Sequence, residues 1–309
     1  MKLSKKRIMN APSHRRSKLN RNEIFWGYFF IAPTLLGLLV FYIYPVFQTF
    51  FYSFTDWGAF GNYTFSGLAN YKKLFNSPEI WQAFRNTFIY AFAMVPISIA
   101  VSVVVAVLLN QKIKGLAVYR TLFFLPVVTM PAAIGMIWAW LYNSEYGLIN
   151  HFLSLFSIEG PNWLTDPKWV LGAIIVVGVW SVIGTNMIIL LSGLQGIPST
   201  LYEAASLDGA SPLYMFFRIT LPLLTPTIFF VMVITFIQAF QVFDIIFMMV
   251  SPTNPAIGSA RSVIYLFYHE AFVIGDKGLA AAVALILFVI ILLLTILQFR
   301  LQRRWVHYE

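Results

Sequence analysis

Few residues of this chain could do chemistry, and the most telling are Gln238, Gln241 and Asp244, which interrupt an apolar run from about Leu221 to Val250. A carboxylate at the centre of a membrane helix costs about 2.5–3.5 kcal/mol on insertion scales, so a side chain such as Asp244 tends to face a cavity or a partner. The 3.6-residue period sets Gln238, Gln241 and, at the margin, Asp244 along one side of a helix. Such a stripe suits a hydroxyl-rich ligand in a cavity, or else it bonds across to neighbouring helices. Trp180, Thr185 and Asn186, in a run from about Trp169 to Leu194, and Trp138, Trp140 and Tyr142, in a run from about Tyr119 to Tyr142, set aromatic rings beside amides and hydroxyls. Sugars, with apolar C–H faces and hydroxyl edges, require that combination. Trp140 and Tyr142 also fit an interfacial aromatic belt, and Trp180 also fits plain helix packing.

Catalysis finds no comparable set. ATP hydrolysis requires a loop G-x-x-x-x-G-K followed by Ser or Thr, and no Gly-Lys pair occurs. His269-Glu270 opens like a zinc-protease motif, but Val273 stands where its second histidine belongs. With 4 His, 12 carboxylates and no cysteine, neither a hydrolytic constellation nor a thiolate metal site is legible, and the chain is expected not to be an enzyme or to bind a metal or cofactor itself.

The elements that must position these residues are membrane helices. The chain is 309 residues long, 59% hydrophobic and 11% charged, where a soluble domain has about 25% charged residues. A helix needs about 20 apolar residues to cross a bilayer core of about 30 Å. Six runs qualify, near residues 24–51, 86–109, 119–142, 169–194, 221–250 and 279–299. The expected class is therefore all-α, a polytopic protein with six transmembrane helices, because a barrel would show weaker alternating segments of about ten residues. The first run is too long for a signal-peptide core and lacks an Ala-x-Ala site, so it is read as a retained helix. A basic tail (1–23), a membrane domain (24–299) and a short C-terminal tail (300–309) follow as the expected divisions.

Basic residues set the orientation. Eight lie in the tail (Lys2, Lys5, Lys6, Arg7, Arg15, Arg16, Lys18, Arg21), three between the second and third runs, one between the fourth and fifth (Arg218) and three after the sixth, against six in the alternate connections. The positive-inside rule places both termini in the cytoplasm. It also accounts for the net charge of +9 without a nucleic-acid partner.

One cytoplasmic connection, residues 195–220, carries more than a turn needs. Thr200 and Glu203 have capping-box spacing, Gly209 is placed to end a short helix in the left-handed conformation, and Ser211-Pro212 offers a fresh N-cap. A second short helix is expected to run to Leu221-Pro222. The resulting elbow either presents Tyr202, Ala205, Ser206 and Leu207 to a soluble partner or rests at the headgroups.

Glu203-Ala204-Ala205, three residues, Gly209, nine residues, then Ile219-x-Leu221-Pro222 resembles the cytoplasmic loop signature of ABC importer permeases. Residues 201–210, Tyr44-Pro45, Phe123-Phe124-Leu125-Pro126 and Gly147-Leu148-Ile149-Asn150 are similar to the carbohydrate branch, of maltose-permease type. The resemblance implies the type I importer permease fold and a multi-pass place in a bacterial cell membrane. It also implies a second homologous permease, two cytosolic ATPase subunits that use ATP and Mg, and an external solute-binding protein. By position, Glu203 and Gly209 would fix the elbow. Tyr202, Ala204, Ala205 and Asp208 would lie at or near the ATPase, with Pro222 closing the motif. Trp180 matches a position that lines the substrate site, and the implied substrate is a sugar, an oligosaccharide. Ser251-Pro252-Thr253-Asn254-Pro255 departs from the paired glycine before proline that this branch commonly carries. An ion-coupled secondary transporter is the alternative, although its internal repeats and broken helices are not evident in the sequence.

Overall fold

Helices form where the apolar runs fall, and their ends follow the local capping chemistry. The structure, a computed structural model, describes residues 21–57, 61–111 and 113–306. The tail from Lys2 to Lys18, Lys112 and residues 307–309 lie outside the described residues. Among the described residues five helices are long and apolar enough to cross a membrane, and a sixth pass is broken in two.

Two units are distinct, residues up to Gln48 and residues from Thr49. The first unit holds most of the first span, Ile24–Tyr52, with a π turn at Leu39–Ile43 between Pro33 and Pro45. Its apolar side chains, Phe30 and Phe41 among them, are exposed.

In the second unit, the second span (Pro78–Leu109) and the fourth (Val170–Gln195) pack along each other, burying Ala91, Val95, Ile174 and Val177. Ser77 caps the second span by accepting from the Ile80 N–H, with Pro78 at the first helical position. Buried polar side chains hold the connection after the fifth span against the second. Asn86 donates to the carbonyls of Gly258 (2.8 Å) and Arg261 (3.1 Å), and the Val263 N–H donates to Thr87 Oγ1 (3.0 Å). The sixth span is Lys277–Trp305, capped by Asp276.

Three expectations change. The run 119–142 is not one helix but two limbs, Leu116–Val128 and Pro131–Leu141, bent by 101°. Proline disfavours the helical region for the residue before it, and Met130 adopts ψ 130°, with Thr129 also extended. The limbs still join opposite ends of the unit: Arg120 Nη2 donates to the Leu109 carbonyl (3.2 Å) at one end, and the Tyr142 hydroxyl donates to the Ala173 carbonyl (3.4 Å) at the other.

The run 221–250 likewise divides. Its span begins earlier, at Pro212, passes through a π turn at Phe216–Thr220 and ends at Phe240. The second elbow helix therefore does not stop at Leu221-Pro222. A proline ring clashes with the carbonyl four residues back, and the wider π turn, in which the Leu221 N–H reaches the Phe216 carbonyl, gives it room. After Phe240 the chain breaks at residues 241–243, and Asp244–Met249 is a separate short helix.

The third change is a small antiparallel hairpin, Thr55–Trp57 with Tyr63–Phe65, added to the expected all-α fold. Asn70, 1% exposed, holds its base by donating to the carbonyls of Ser53 (3.0 Å) and Thr55 (2.8 Å). Asn70→Ala leaves two buried acceptors without donors, at about 1–3 kcal/mol each. The expected outcome is a lower unfolding midpoint in detergent by intrinsic fluorescence; an unchanged midpoint rejects the anchoring role.

Candidate functional site

The two breaks meet at one place. A cavity of about 440 Å³ is lined by Tyr90 and Met94 of the second span, Pro126, Val127, Thr129, Pro131 and Ile134 of the broken one, Ser181, Val182 and Thr185 of the fourth, and residues 238, 239 and 241–245 at the end of the fifth. That volume lies within the range of small-molecule sites, about 300–1,000 Å³. Tyr90 and Met94 lie near the midpoint of the 32-residue second span, and Ser181 to Thr185 near that of the 26-residue fourth span, so the cavity sits at mid-bilayer depth. Non-helical backbone at that depth is tolerated where it lines a cavity, and Thr129, Met130 and residues 241–243 do so or flank it. Gln238, Gln241 and Asp244 are exposed, and their side chains have no hydrogen-bond or ionic partner among the described residues. Three polar groups left open at this depth are costly unless a ligand, water or a neighbouring subunit meets them.

The elbow lies at the far end of the fourth span. Its helix is Ser199–Leu207, with Pro198 in the N-cap position and no side-chain cap. Thr200 is thus the second helical residue, too late to act as N-cap, and the capping box with Glu203 is not formed. The C-terminus is as expected: Gly209 has φ 76°, its N–H donates to the Ser206 carbonyl (3.1 Å), and the Ala210 N–H donates to the Ala205 carbonyl (3.0 Å). Those paired bonds are the Schellman closure. Ser211 Oγ then accepts from the Tyr214 N–H (3.3 Å), with Pro212 at the first helical position. Glu203, Ala204, Leu207 and Asp208 are exposed, and Leu207 is 89% exposed. Tyr202 is half-buried and turns inward, its hydroxyl 3.0 Å from Thr220 Oγ1. This bond ties the elbow helix to the π turn at the foot of the fifth span.

Residues 64–307 match the family described as binding-protein-dependent transport system inner membrane component. The chain belongs to that family. It is an ABC importer permease subunit, a multi-pass membrane protein and not an enzyme; ATP hydrolysis resides in a separate subunit. The permease is 37% identical over 303 residues, 97% of each chain, to the probable ABC transporter permease protein YesP of Bacillus subtilis. It is 35% identical to the trehalose/maltose transport system permease protein MalF of Thermococcus litoralis, over 93% of this chain and 97% of that one. It is 33% identical to the sn-glycerol-3-phosphate transport system permease protein UgpA of Pectobacterium atrosepticum, over 91% and 95%. The fold matches a chain of a bacterial alginate ABC transporter, crystallised with an alginate pentasaccharide-bound periplasmic protein, with a TM-score of 0.82 at 22% identity over 92% and 96% of the two chains. This is the expected type I permease fold. Broken helices do occur in this permease, contrary to the sequence reading, so family membership rather than helix continuity sets the secondary transporter aside.

Of the expected site residues, Thr185, Gln238, Gln241 and Asp244 line the cavity. They are not one helical stripe, because the break after Phe240 turns the chain between them. Trp180, Trp138 and Asn186 are not among the lining residues. Trp180 and Trp138 pack edge to face, 5.5 Å between centroids, and Asn186 is buried with its Oδ1 accepting from Thr235 Oγ1 (3.4 Å). Sequence reasoning missed Tyr90, Thr129 and Ser181. Pro131 was the available signal, since a proline inside an apolar run marks a point where backbone can turn toward a cavity.

Proposed function

We propose that this permease subunit moves a sugar, an oligosaccharide, through the mid-bilayer cavity by alternating access driven by ATP. The observation that carries the reading is the set Gln238, Gln241 and Asp244, open-ended polar groups in a cavity formed where two helices break. Amides, hydroxyls and a carboxylate beside apolar walls offer a hydroxyl-rich ligand what it needs. The relative named for trehalose/maltose transport supports the same class.

Substrate arrives from a solute-binding protein, and this subunit forms the pathway with a second homologous permease. Of two cytosolic ATPases, using ATP and Mg, one seats on this subunit's elbow through Glu203, Ala204, Ala205, Leu207 and Asp208. Closure of the ATPase pair pulls the elbow, and the Tyr202–Thr220 bond carries that movement into the fifth span, whose other end holds Gln238 and Gln241. Both termini face the cytoplasm of a bacterial cell in this reading, which the basic residues of the tail and of the connections on the elbow side support.

Gln241→Ala combined with Thr185→Ala removes two of the polar side chains that line the cavity and leaves the elbow untouched. Each lost hydrogen bond is worth about 0.5–1.5 kcal/mol. Uptake of labelled sugar by the reconstituted importer is expected to fall roughly tenfold or more. Basal ATPase should persist, and full uptake by the double variant moves the site elsewhere.

A further inference from the structure

The cavity is one-sided in charge. Its lining holds hydroxyls (Tyr90, Thr129, Ser181, Thr185), two glutamine amides and the carboxylate of Asp244, with no Lys, Arg or His. Several of this chain's cations outside the lining are engaged elsewhere. Arg261 pairs with Glu79 (3.2 Å), Lys73 with Asp276 (3.3 Å), Lys277 lies 4.8 Å over the Trp57 ring, and Arg120 holds the Leu109 carbonyl. A carboxylate or phosphate on the substrate would therefore lose its hydration at mid-bilayer depth, meet no cation and face a like charge. A neutral sugar meets no such penalty, and Asp244 can accept from two of its hydroxyls at once.

We propose that this permease passes uncharged sugars and rejects uronates and sugar phosphates, and that Asp244 is the residue that sets this selectivity. The inference rests on the sugar-import reading above and narrows it. It separates this chain from its relative UgpA, whose name specifies sn-glycerol-3-phosphate, an anion.

The test uses the complete permease–ATPase complex purified from its own membrane, without the solute-binding protein, so that the cavity and not the receptor selects. Saturation-transfer NMR compares a neutral gluco-oligosaccharide with the same compound oxidised at C6 to the uronate, on the parent complex and on Asp244→Asn. The parent is expected to bind the neutral sugar at least tenfold more tightly, a difference of about 1.4 kcal/mol or more. Asp244→Asn, which keeps a hydrogen-bonding side chain of the same size, should shrink that ratio at least tenfold, mainly by admitting the uronate. Equal binding of the two compounds to the parent, which a cationic contribution from the second permease would produce, overturns the proposal while leaving sugar import intact. An unchanged ratio in Asp244→Asn overturns the role of Asp244. Failure of both sugars to bind, together with no ATP-driven sugar uptake once the binding protein is restored, overturns the import reading and this inference with it.

Discussion

Replacing Gly209 by valine abolishes ATP-driven uptake while the permease still inserts in the membrane. Gly209 has φ 76°, and a Cβ built on it meets nothing within 4 Å, so the whole effect comes from the backbone. The left-handed conformation costs an ordinary L-residue about 1–2 kcal/mol, and a β-branched side chain stands at the upper end or beyond. The Schellman closure would be lost, and with it the turn that sets the exposed face of Ser199–Leu207 against the start of the fifth span. No residue of that turn lines the cavity. Insertion and sugar binding should therefore survive, while co-purification of the ATPase or its stimulation by substrate fails. Gly209→Asn is the control, because asparagine visits the left-handed region readily; it should keep more than half of parental uptake. Near-parental transport by Gly209→Val would sink the coupling role of the elbow.

Even the smallest enlargement of Gly184, to alanine, should damage the site from the opposite direction, by clash rather than strain. Gly184 is buried in the fourth span, and an added Cβ would collide with the Phe123 carbonyl oxygen and lie 2.8 Å from Val127 Cγ2. The obstacle is helix backbone, which cannot rotate aside as a side chain can. Close approach of helices at small residues is a principal source of stability in membranes, where lipid removes the hydrophobic drive for association. Overpacking typically costs about 1–3 kcal/mol. Here it pushes away the limb Leu116–Val128, which delivers Pro126 and Val127 to the cavity wall. Gly184→Ala is expected to lower the detergent unfolding midpoint and cut uptake at least tenfold, and Gly184→Val to reduce the amount recovered from membranes. Parental values for Gly184→Ala would mean that the broken span floats free of the fourth.

The number of passes and the elbow were legible in the sequence because each rests on a local rule. Run length is set by bilayer thickness, and Gly209 and Ser211-Pro212 by backbone and capping chemistry that neighbouring residues decide. Thr200 shows the limit of such rules: capping-box spacing was present, but Pro198 opened the helix two residues too early for it. The membership of the cavity depended on packing between residues far apart in the chain. Periodicity put Gln238, Gln241 and Asp244 on one stripe, whereas a helix break gathers them, and side-chain chemistry grouped Trp180 and Asn186 with Thr185 although only Thr185 lines the cavity. A polar residue in an apolar run announces that something must satisfy it. Whether that is a neighbouring helix, as for Asn186 and Thr235, or an open cavity, as for Gln241, is settled only when Pro131 bends the third pass across the fourth and the fifth span stops at Phe240.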